Sequence, residues 1–417
     1  MSSLRLDPEQ RFTCASCARC CTRPWEIVVT RAETETYRQK LVGRWFRECA
    51  DSAEGTERDP FEPIAGTGGF HRIRKREGGA CGFLSSANRC RIHEELGARA
   101  KPLTCRLFPF SFHAVEDDVA VTASFACPTV VANEGDLIAS GKTLDAIKEL
   151  RTEWFRTYPA PSARLQYVQG RSLSTASLKI LRASLLQLLD RQDGLLRMAL
   201  LLEDLARPRV VRLDDESFAE YLALTAPFAA TSDQPMTPRA PSWNARLMRR
   251  GFLFLVAATQ LQIERQRSAG SSFGMRVRMF RLLAHFHGLA GSVGAFDLRL
   301  GRDLAVDLSD PEIQPLVHHY LRSTIQTLGT GVRPVVDELA VAVSSLNAAC
   351  ALAKMKAAAA GSAVDRRVFT EALLEAVDVT HADYGLIARA LTFFAAGTES
   401  LDAFRAASGP KSEAPEV

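Results

Sequence analysis

Cysteines are the residues of this sequence most clearly able to do chemistry, and they are concentrated near the N-terminus. The chain has ten cysteines in 417 residues. Four stand close together in the pattern C-x2-C-x2-C-C: Cys14, Cys17, Cys20 and Cys21. A C-x2-C turn brings two thiolates to one ion, because the intervening backbone folds around the metal. So many neighbouring thiols concentrate negative charge that a cation or an iron–sulfur cluster would stabilise.

A second set of cysteines is dispersed further along the chain, and each lies beside a turn-forming residue or a short apolar segment. The set is Cys81, Cys90, Cys105 and Cys127. Gly79 lies shortly before Cys81 and Pro128 follows Cys127, a placement that suits ligands carried on loops to a shared centre. We therefore predict that all eight cysteines of the two sets bind metal.

The residues alone leave several alternatives open. Free cysteine packs well as a small hydrophobe, so buried structural thiols are the plain alternative to metal ligands. Zinc takes four ligands, and all-thiolate sets also suit iron–sulfur clusters such as 4Fe–4S. Eight thiols could form two sites, or one cluster with spare thiols, and His93 could replace one cysteine. The isolated Cys49 and Cys350 are expected to be packing residues.

The bulk composition is that of an ordinary globular protein, with 47% hydrophobic and 24% charged residues. A net charge of +4 gives no whole-chain argument for nucleic-acid binding. The N-terminus lacks the apolar run of a signal peptide, and the most apolar stretch noted, residues 251–263, is too short to span a bilayer. We therefore expect a cytoplasmic protein without a membrane span, where clustered thiols indicate metal or redox chemistry rather than disulfides.

The elements that must position these cysteines divide into two parts. We predict a mainly α fold, with an irregular cysteine-rich metal-binding domain (1–135), an all-α helical domain (136–407) and a disordered tail (408–417). In the first domain a helix is predicted from Thr30, where Glu33 completes a capping box, and another near Ile92. Apolar residues at helical spacing predict the later helices. These lie at 178–189, 195–205, 243–265, 275–286, 315–328, 334–356, 368–377 and 386–394.

Two further groups of charged residues stand close to the cysteines in sequence. The basic run from Arg72 to Arg76 is expected to be a solvated face that balances the thiolates, rather than a phosphate contact. Arg89, Arg91 and Arg106 could screen the negative charge of a thiolate cluster.

The cysteine pattern and its flanking residues resemble bacterial flagellin lysine-N-methylases. The similar segments begin at Cys14 and continue through Trp25-Glu-Ile, Cys81-Gly-Phe-Leu, Cys90-Arg-Ile-His, Thr104-Cys105-Arg and Cys127-Pro128. The segment from Lys101 to Pro109 is also similar to the wider YkgJ-type cysteine-cluster proteins, which chelate zinc or iron. Phe110 stands where the flagellin methylases tend to have arginine, which favours the broader family. The resemblance covers residues 12–130.

The resemblance implies an iron–sulfur or zinc centre held by the eight cysteines. For the flagellin branch it further implies methyl transfer from S-adenosylmethionine to lysine side chains of a bacterial protein such as flagellin. A deprotonated lysine and a base or desolvating pocket would then be required. The sequence shows no such base and no Gly-rich nucleotide loop after a strand. The alternative is a non-catalytic zinc- or iron-binding protein whose helical domain recognises a partner.

Overall fold

A computed structural model of the chain describes most of the N-terminal half and a C-terminal block of helices. The described ranges are 3–23, 25–49, 59–76, 79–115, 118–158, 163–168, 170–191, 213–231 and 306–380, with isolated residues at 194, 197–198, 201, 205, 210 and 304. Three predicted helices (243–265, 275–286 and 386–394) and the predicted tail lie outside these ranges, and of the helix predicted at 195–205 only isolated residues are described.

The N-terminal region contains short strands that form three small sheets. The strands are β1 (Ser3–Arg5), β2 (Arg11–Phe12), β3 (Val28–Val29), β4 (Phe61–Pro63), β5 (His71–Ile73), β6 (Phe110–Val115), β7 (Asp118–Ala123) and β8 (Asp136–Leu137). The sheet orders are β1-β7-β6, β2-β8 and β3-β5-β4, with β1 parallel to β7 and the other pairs antiparallel. The sequence predicted an irregular domain with two helices and none of these strands; six of the eight strands have only two or three residues, too short to produce an alternating pattern.

Several very short helices in this region carry or adjoin the predicted metal ligands. They are α1 (Arg19–Thr22), α3 (Arg91–Leu96), α4 (Leu103–Leu107) and α5 (Pro128–Ala132). Between α1 and α3 lies one long helix, α2 (Arg31–Cys49). Helices of about one turn are not stable alone, so their positions depend on tertiary contacts.

The capping box predicted at the start of α2 is confirmed. The Glu33 N–H donates to Thr30 Oγ1 at 3.2 Å, and the Thr30 N–H donates to Glu33 Oε2 at 2.8 Å. The other carboxylate oxygen of Glu33 accepts the N–H of Leu103 at 3.1 Å. Glu33 therefore caps its own helix and also fastens α2 to the first residue of α4.

The second part of the described chain is helical, as predicted. Its helices are α6 (Gly141–Thr157), α7 (Thr175–Leu189), α8 (Asp215–Thr231), α9 (Gln314–Thr327), α10 (Val335–Ala360) and α11 (Arg366–Thr380). The predictions at 178–189, 315–328, 334–356 and 368–377 are confirmed by α7, α9, α10 and α11, whereas α6 and α8 were not predicted. Leu181, Leu185 and Leu188 are fully buried along one face of α7, which explains why its apolar spacing was informative.

The core of the helical part continues into the end of the cysteine-rich region. Phe125 and Val130 belong to the same buried cluster as the helical residues, and the Phe125 ring meets Tyr320 edge-to-face at 4.9 Å. His319 Nε2 donates to the carbonyl of Val130 at 2.8 Å. The two parts therefore share apolar and polar contacts, while the predicted domain limits stay predictions.

Helix α10 is the one described helix that is long and apolar enough to cross a bilayer by length and composition. Of its most apolar window, 75% is buried inside the protein. A core helix passes the same test, so this observation is weak evidence for a membrane span.

Replacing Glu33 with alanine should destabilise the protein more than removing a surface carboxylate on the same helix. The change leaves the Leu103 N–H without its acceptor and removes half of the capping box, at a cost of about 1–3 kcal/mol. Urea unfolding of Glu33→Ala measures this loss. The control is Glu35→Ala, which removes an exposed ion pair with Arg31 and should cost no more than about 0.5 kcal/mol. Equal losses in the two variants would contradict this role of Glu33.

His113 should make stability fall as the pH is lowered. Burial, followed by the charge of Arg5, lowers the pKa of His113 to about 4. Between about pH 6.5 and 4 the unfolded chain binds a proton at this position that the folded chain does not bind, so stability falls by about 3 kcal/mol over this interval and levels off below it. The slope of unfolding free energy against pH should therefore be smaller in His113→Gln. The control is His93→Gln, at an exposed position, and an unchanged slope in His113→Gln would refute the prediction.

Candidate metal centre

The adjacent cysteines Cys20 and Cys21 lie on α1, a single turn of helix. The turn begins at Ala18, which adopts a left-handed conformation with φ of 58°, a conformation uncommon outside glycine. The Cys21 N–H donates to the Ala18 carbonyl at 2.9 Å, and Trp25 Nε1 donates to the Cys20 carbonyl at 2.6 Å. These contacts hold the two sulfur atoms 3.9 Å apart.

Cys81, sixty residues later in the chain, lies directly beside this turn. Its N–H donates to the carbonyl of Cys21 at 2.7 Å. Its side chain is buried, at 5% exposure, in an apolar cluster that includes Tyr37 and Phe83. The first set of cysteines and the dispersed set are therefore joined through the backbone at Cys21 and Cys81.

Cys90 and Cys105 enter the same cluster from two short helices. Cys90 immediately precedes α3 and pairs as an isolated β-bridge with Leu84. Cys105 lies on α4, which is held by Glu33 and by the Thr104 hydroxyl, a donor to the Val28 carbonyl at 3.1 Å. We call Cys20, Cys21, Cys81, Cys90 and Cys105 the buried thiol group; Cys21, Cys90 and Cys105 are half-buried and pack against the apolar cluster around Cys81.

Burial and mutual repulsion oppose ionisation of most of these thiols. Burial raises the pKa of Cys81 to about 11, and burial together with the neighbouring Cys81 raises the pKa of Cys105 strongly. In the adjacent pair, the hydrogen bond from Cys21 lowers the pKa of Cys20 to about 6, and the same bond with burial raises that of Cys21. Metal ligation requires thiolates, so a bound cation would have to supply the missing positive charge.

Lysine side chains provide part of that positive charge. Lys75 points inward: its Nζ lies 3.5 Å from the carbonyl of Cys21, and burial lowers its pKa while the thiolates of Cys81 and Cys21 act to raise it. Lys101 stabilises the ionised form of Cys20. In contrast, Arg72 of the same basic run forms surface ion pairs, as expected of a solvated face. The inward turn of Lys75 was not foreseen.

Two arginines predicted to screen the thiolates form ion pairs with carboxylates instead. Arg89 Nε lies 2.7 Å from Glu94 Oε1 at the surface, and Arg106 donates to Glu153 at 2.8 Å. The carboxylates of Glu94 and Glu153 therefore offset most of the positive charge of these two arginines. Proximity in sequence was a poor guide here, because a helix directs successive side chains to different faces.

The remaining predicted ligands lie apart from the buried thiol group. Cys127 is buried at the start of α5, where burial raises its pKa and the backbone amides of α5 lower it. The charge of Cys17 reaches Cys127, and Arg19 Nε donates to the carbonyl of Ala126 at 3.2 Å, linking the two segments. Cys14 and Cys17 are exposed. The structure thus brings five of the eight cysteines into one region and leaves Cys14, Cys17 and Cys127 outside it.

The donor set fits a thiolate centre in its chemistry, but its side chains are not arranged as ligands. Within the described ranges, no three His, Cys, Asp or Glu side chains could hold an ion in common. The nine described cysteines carry free thiols, and thiolates suit both zinc and iron–sulfur clusters. The ligand assignments therefore stay predictions.

Three further residues, His93, Cys350 and Cys49, were not among the eight predicted metal ligands. His93 is exposed on α3, although Cys90 three residues earlier is half-buried. Cys350 is buried at 5% exposure within the helical core, as expected for a packing residue. Cys49 ends α2, and its side chain lies outside the described set.

Comparison with known proteins finds similarity in the cysteine-rich region. Residues 13–128 match the CxxCxxCC family, described as "Putative zinc- or iron-chelating domain". The flagellar biosynthetic protein FliU of Salmonella muenchen is 36% identical over 67 residues, 15% of this chain and 40% of that protein. The lysine-N-methylases of Salmonella typhimurium and Salmonella choleraesuis are each 37% identical over 70 residues, 16% of this chain and 18% of theirs.

The chain thus spans less than half the length of each of these relatives. No solved structure is significantly similar to it. The family match contains all eight cysteines of the two sets, and the structure joins those sets through Cys21 and Cys81. Residues 13–128 are therefore similar to the CxxCxxCC family, whose domain is described as zinc- or iron-chelating.

Proposed function

We propose that the buried thiol group holds an iron–sulfur cluster and that the protein is a lysine N-methyltransferase. S-adenosylmethionine would be the methyl donor and a protein such as flagellin the acceptor. The observation that carries the proposal is the meeting of Cys20 and Cys21 with Cys81, Cys90 and Cys105, which are far apart in the chain. The names of the relatives, FliU and lysine-N-methylase, support the methyl-transfer part.

The type of donor supports a cluster. The buried thiol group offers five sulfurs, and His93 lies exposed on α3, so the donors of the group are all thiols. Iron–sulfur clusters such as 4Fe–4S are held by cysteine thiolates. When bound, a cluster with an open coordination position would supply a place to bind the methyl donor. A reducing compartment such as the cytoplasm would keep the thiols available.

Residues around the buried thiol group compensate its negative charge and provide a desolvated environment. Lys75 and Lys101 offset the negative charge of the thiolates. A lysine substrate must be neutral before its amine can attack a methyl group. Burial is the larger influence on Lys75 itself, where it lowers the pKa. The same desolvation would favour the neutral form of a lysine side chain that enters this region.

A non-catalytic role is the second candidate, and one contact favours it. Asp378 on α11 forms ion pairs with Arg19 and Arg23, the residues that flank the adjacent cysteines in sequence. A metal that stabilises this domain would then fix the orientation of the helices, which would recognise a partner. Measuring metal content and methyl transfer separately distinguishes the two candidates.

Metal content should depend on Cys81 and not on Cys350. Protein purified without oxygen should be brown and contain iron with acid-labile sulfide. In Cys81→Ser the metal content should fall to less than about a tenth, because the most buried member of the group is removed. Cys350→Ser, a change at a buried thiol of the helical core, should retain its metal.

The metal measurement has two adverse outcomes. Wild-type protein without any metal would refute the whole proposal. Colourless protein with stoichiometric zinc that depends on Cys81 would refute the cluster and retain the metal site.

Methyl transfer should require both the metal-loaded protein and S-adenosylmethionine. Incubation with flagellin should add 14 Da to lysine residues, detected by mass spectrometry of peptides, because a methyl group replaces one hydrogen. Cys350→Ser should remain active and Cys81→Ser should lose activity. Fully loaded protein that leaves the flagellin lysines unmodified would argue against the methyltransferase and favour the non-catalytic role.

A further inference from the structure

A cavity of about 400 Å³ lies between the β6–β7 strand pair and the helices α9, α10 and α11. Ser111 and Thr122 line it from the strands, Ser323 from α9, and Val341 and Val377 from α10 and α11. Its volume is in the range typical of sites for small molecules. None of the predicted metal ligands lines it, so it is a separate feature of the fold.

Ser323, in the wall of this cavity, has a hydroxyl that makes no hydrogen bond with the described residues. The residue is only 3% exposed. Its neighbours differ: Thr324 and Thr327 donate to the helix carbonyls of Tyr320 and Ser323, each at 2.8 Å. Buried polar groups are nearly always hydrogen-bonded, so the Ser323 hydroxyl is available to a ligand.

The inner surface is largely uncharged. Burial lowers the pKa of His113 to about 4, so its imidazole is neutral at physiological pH. The carboxylate of Glu338 already accepts hydrogen bonds from the N–H groups of Gly329 and Thr330, at 2.6 and 2.9 Å. Arg333, the remaining charged residue of the wall, is only half-buried. An anion that entered the interior would lose hydration and meet the Glu338 carboxylate, and a cation would find that carboxylate already engaged by two backbone N–H groups.

Apolar and aromatic side chains make up much of the remaining surface. Phe125, Tyr320 and Val341 line the cavity, and all three are buried. Such surfaces favour a flat apolar ring, while hydroxyls and a neutral imidazole favour a ligand edge rich in donors and acceptors. We propose that this cavity binds a neutral heterocycle that carries hydroxyl groups and has the size of a nucleoside.

The position of the cavity relates it to the cysteine-rich region. Phe125 precedes Cys127 by two residues, and Val377 precedes Asp378, the partner of Arg19. A molecule bound here would therefore contact elements that also hold the candidate metal centre. The proposal does not depend on methyl transfer, because it rests on the lining of the cavity alone.

Binding should be measured on the full-length protein by isothermal titration with adenosine and with uridine. We expect at least one of them to bind, and D-ribose to bind far more weakly because it lacks the heterocyclic base. Ser323→Ala should weaken the binding roughly three- to ten-fold, the effect of one hydrogen bond. Ser323→Leu, which fills the cavity, should abolish it.

The matched control is Ser184→Ala, which changes a buried serine on α7 whose hydroxyl donates to the Ile180 carbonyl. It should leave the affinity unchanged, and circular dichroism should verify that each variant is folded. If Ser323→Leu does not fold, Ser323→Ala still provides the test. Failure of both nucleosides to bind, equal binding of ribose, or binding unaffected by Ser323→Ala would each overturn the proposal.

Discussion

Several thiols are buried in one apolar cluster, and this burial controls their ionisation and the charges needed around them. A thiol that enters a cluster with Tyr37 and Phe83 loses hydration, and its ionisation is opposed by the other thiols. Lys75 supplies one positive charge in return, but its own burial weakens that charge. An all-thiolate centre in this position therefore needs a cation, and binding of the cation would contribute directly to the stability of the region.

The elements around the cysteines are short, and longer elements hold them in place. Helix α2 is the main support, because Glu33 binds the start of α4 and the Tyr37 hydroxyl donates to the carbonyl of Ala100 at 2.6 Å. The strand β3 receives the Thr104 hydroxyl. Each contact satisfies a backbone or hydroxyl group that would otherwise be buried alone. Precise delivery of ligands thus comes from hydrogen bonds between distant segments rather than from long regular elements.

The helical part is physically joined to this region rather than merely following it. Asp378 pairs with Arg19 and Arg23, and His319 donates to the carbonyl of Val130. The cavity lined by β6, β7, α9, α10 and α11 lies along the same junction, where clefts commonly bind small molecules. The matched relatives are similar to this chain over only 67 to 70 residues, 15% to 16% of its length.

The sequence by itself determined the cysteine pattern, the α2 capping box and the amphipathic helices α7, α9, α10 and α11, because these depend on residue type and local spacing. It missed the small sheets, most of whose strands are too short to leave a periodic signal, and the inward direction of the Lys75 side chain, which leaves none. Only the tertiary structure decided that Cys20 and Cys21 lie near Cys81, Cys90 and Cys105, while Cys14, Cys17 and Cys127 lie outside this group. That partition depends on hydrogen bonds between residues far apart in the chain, and local spacing carries no information about such contacts.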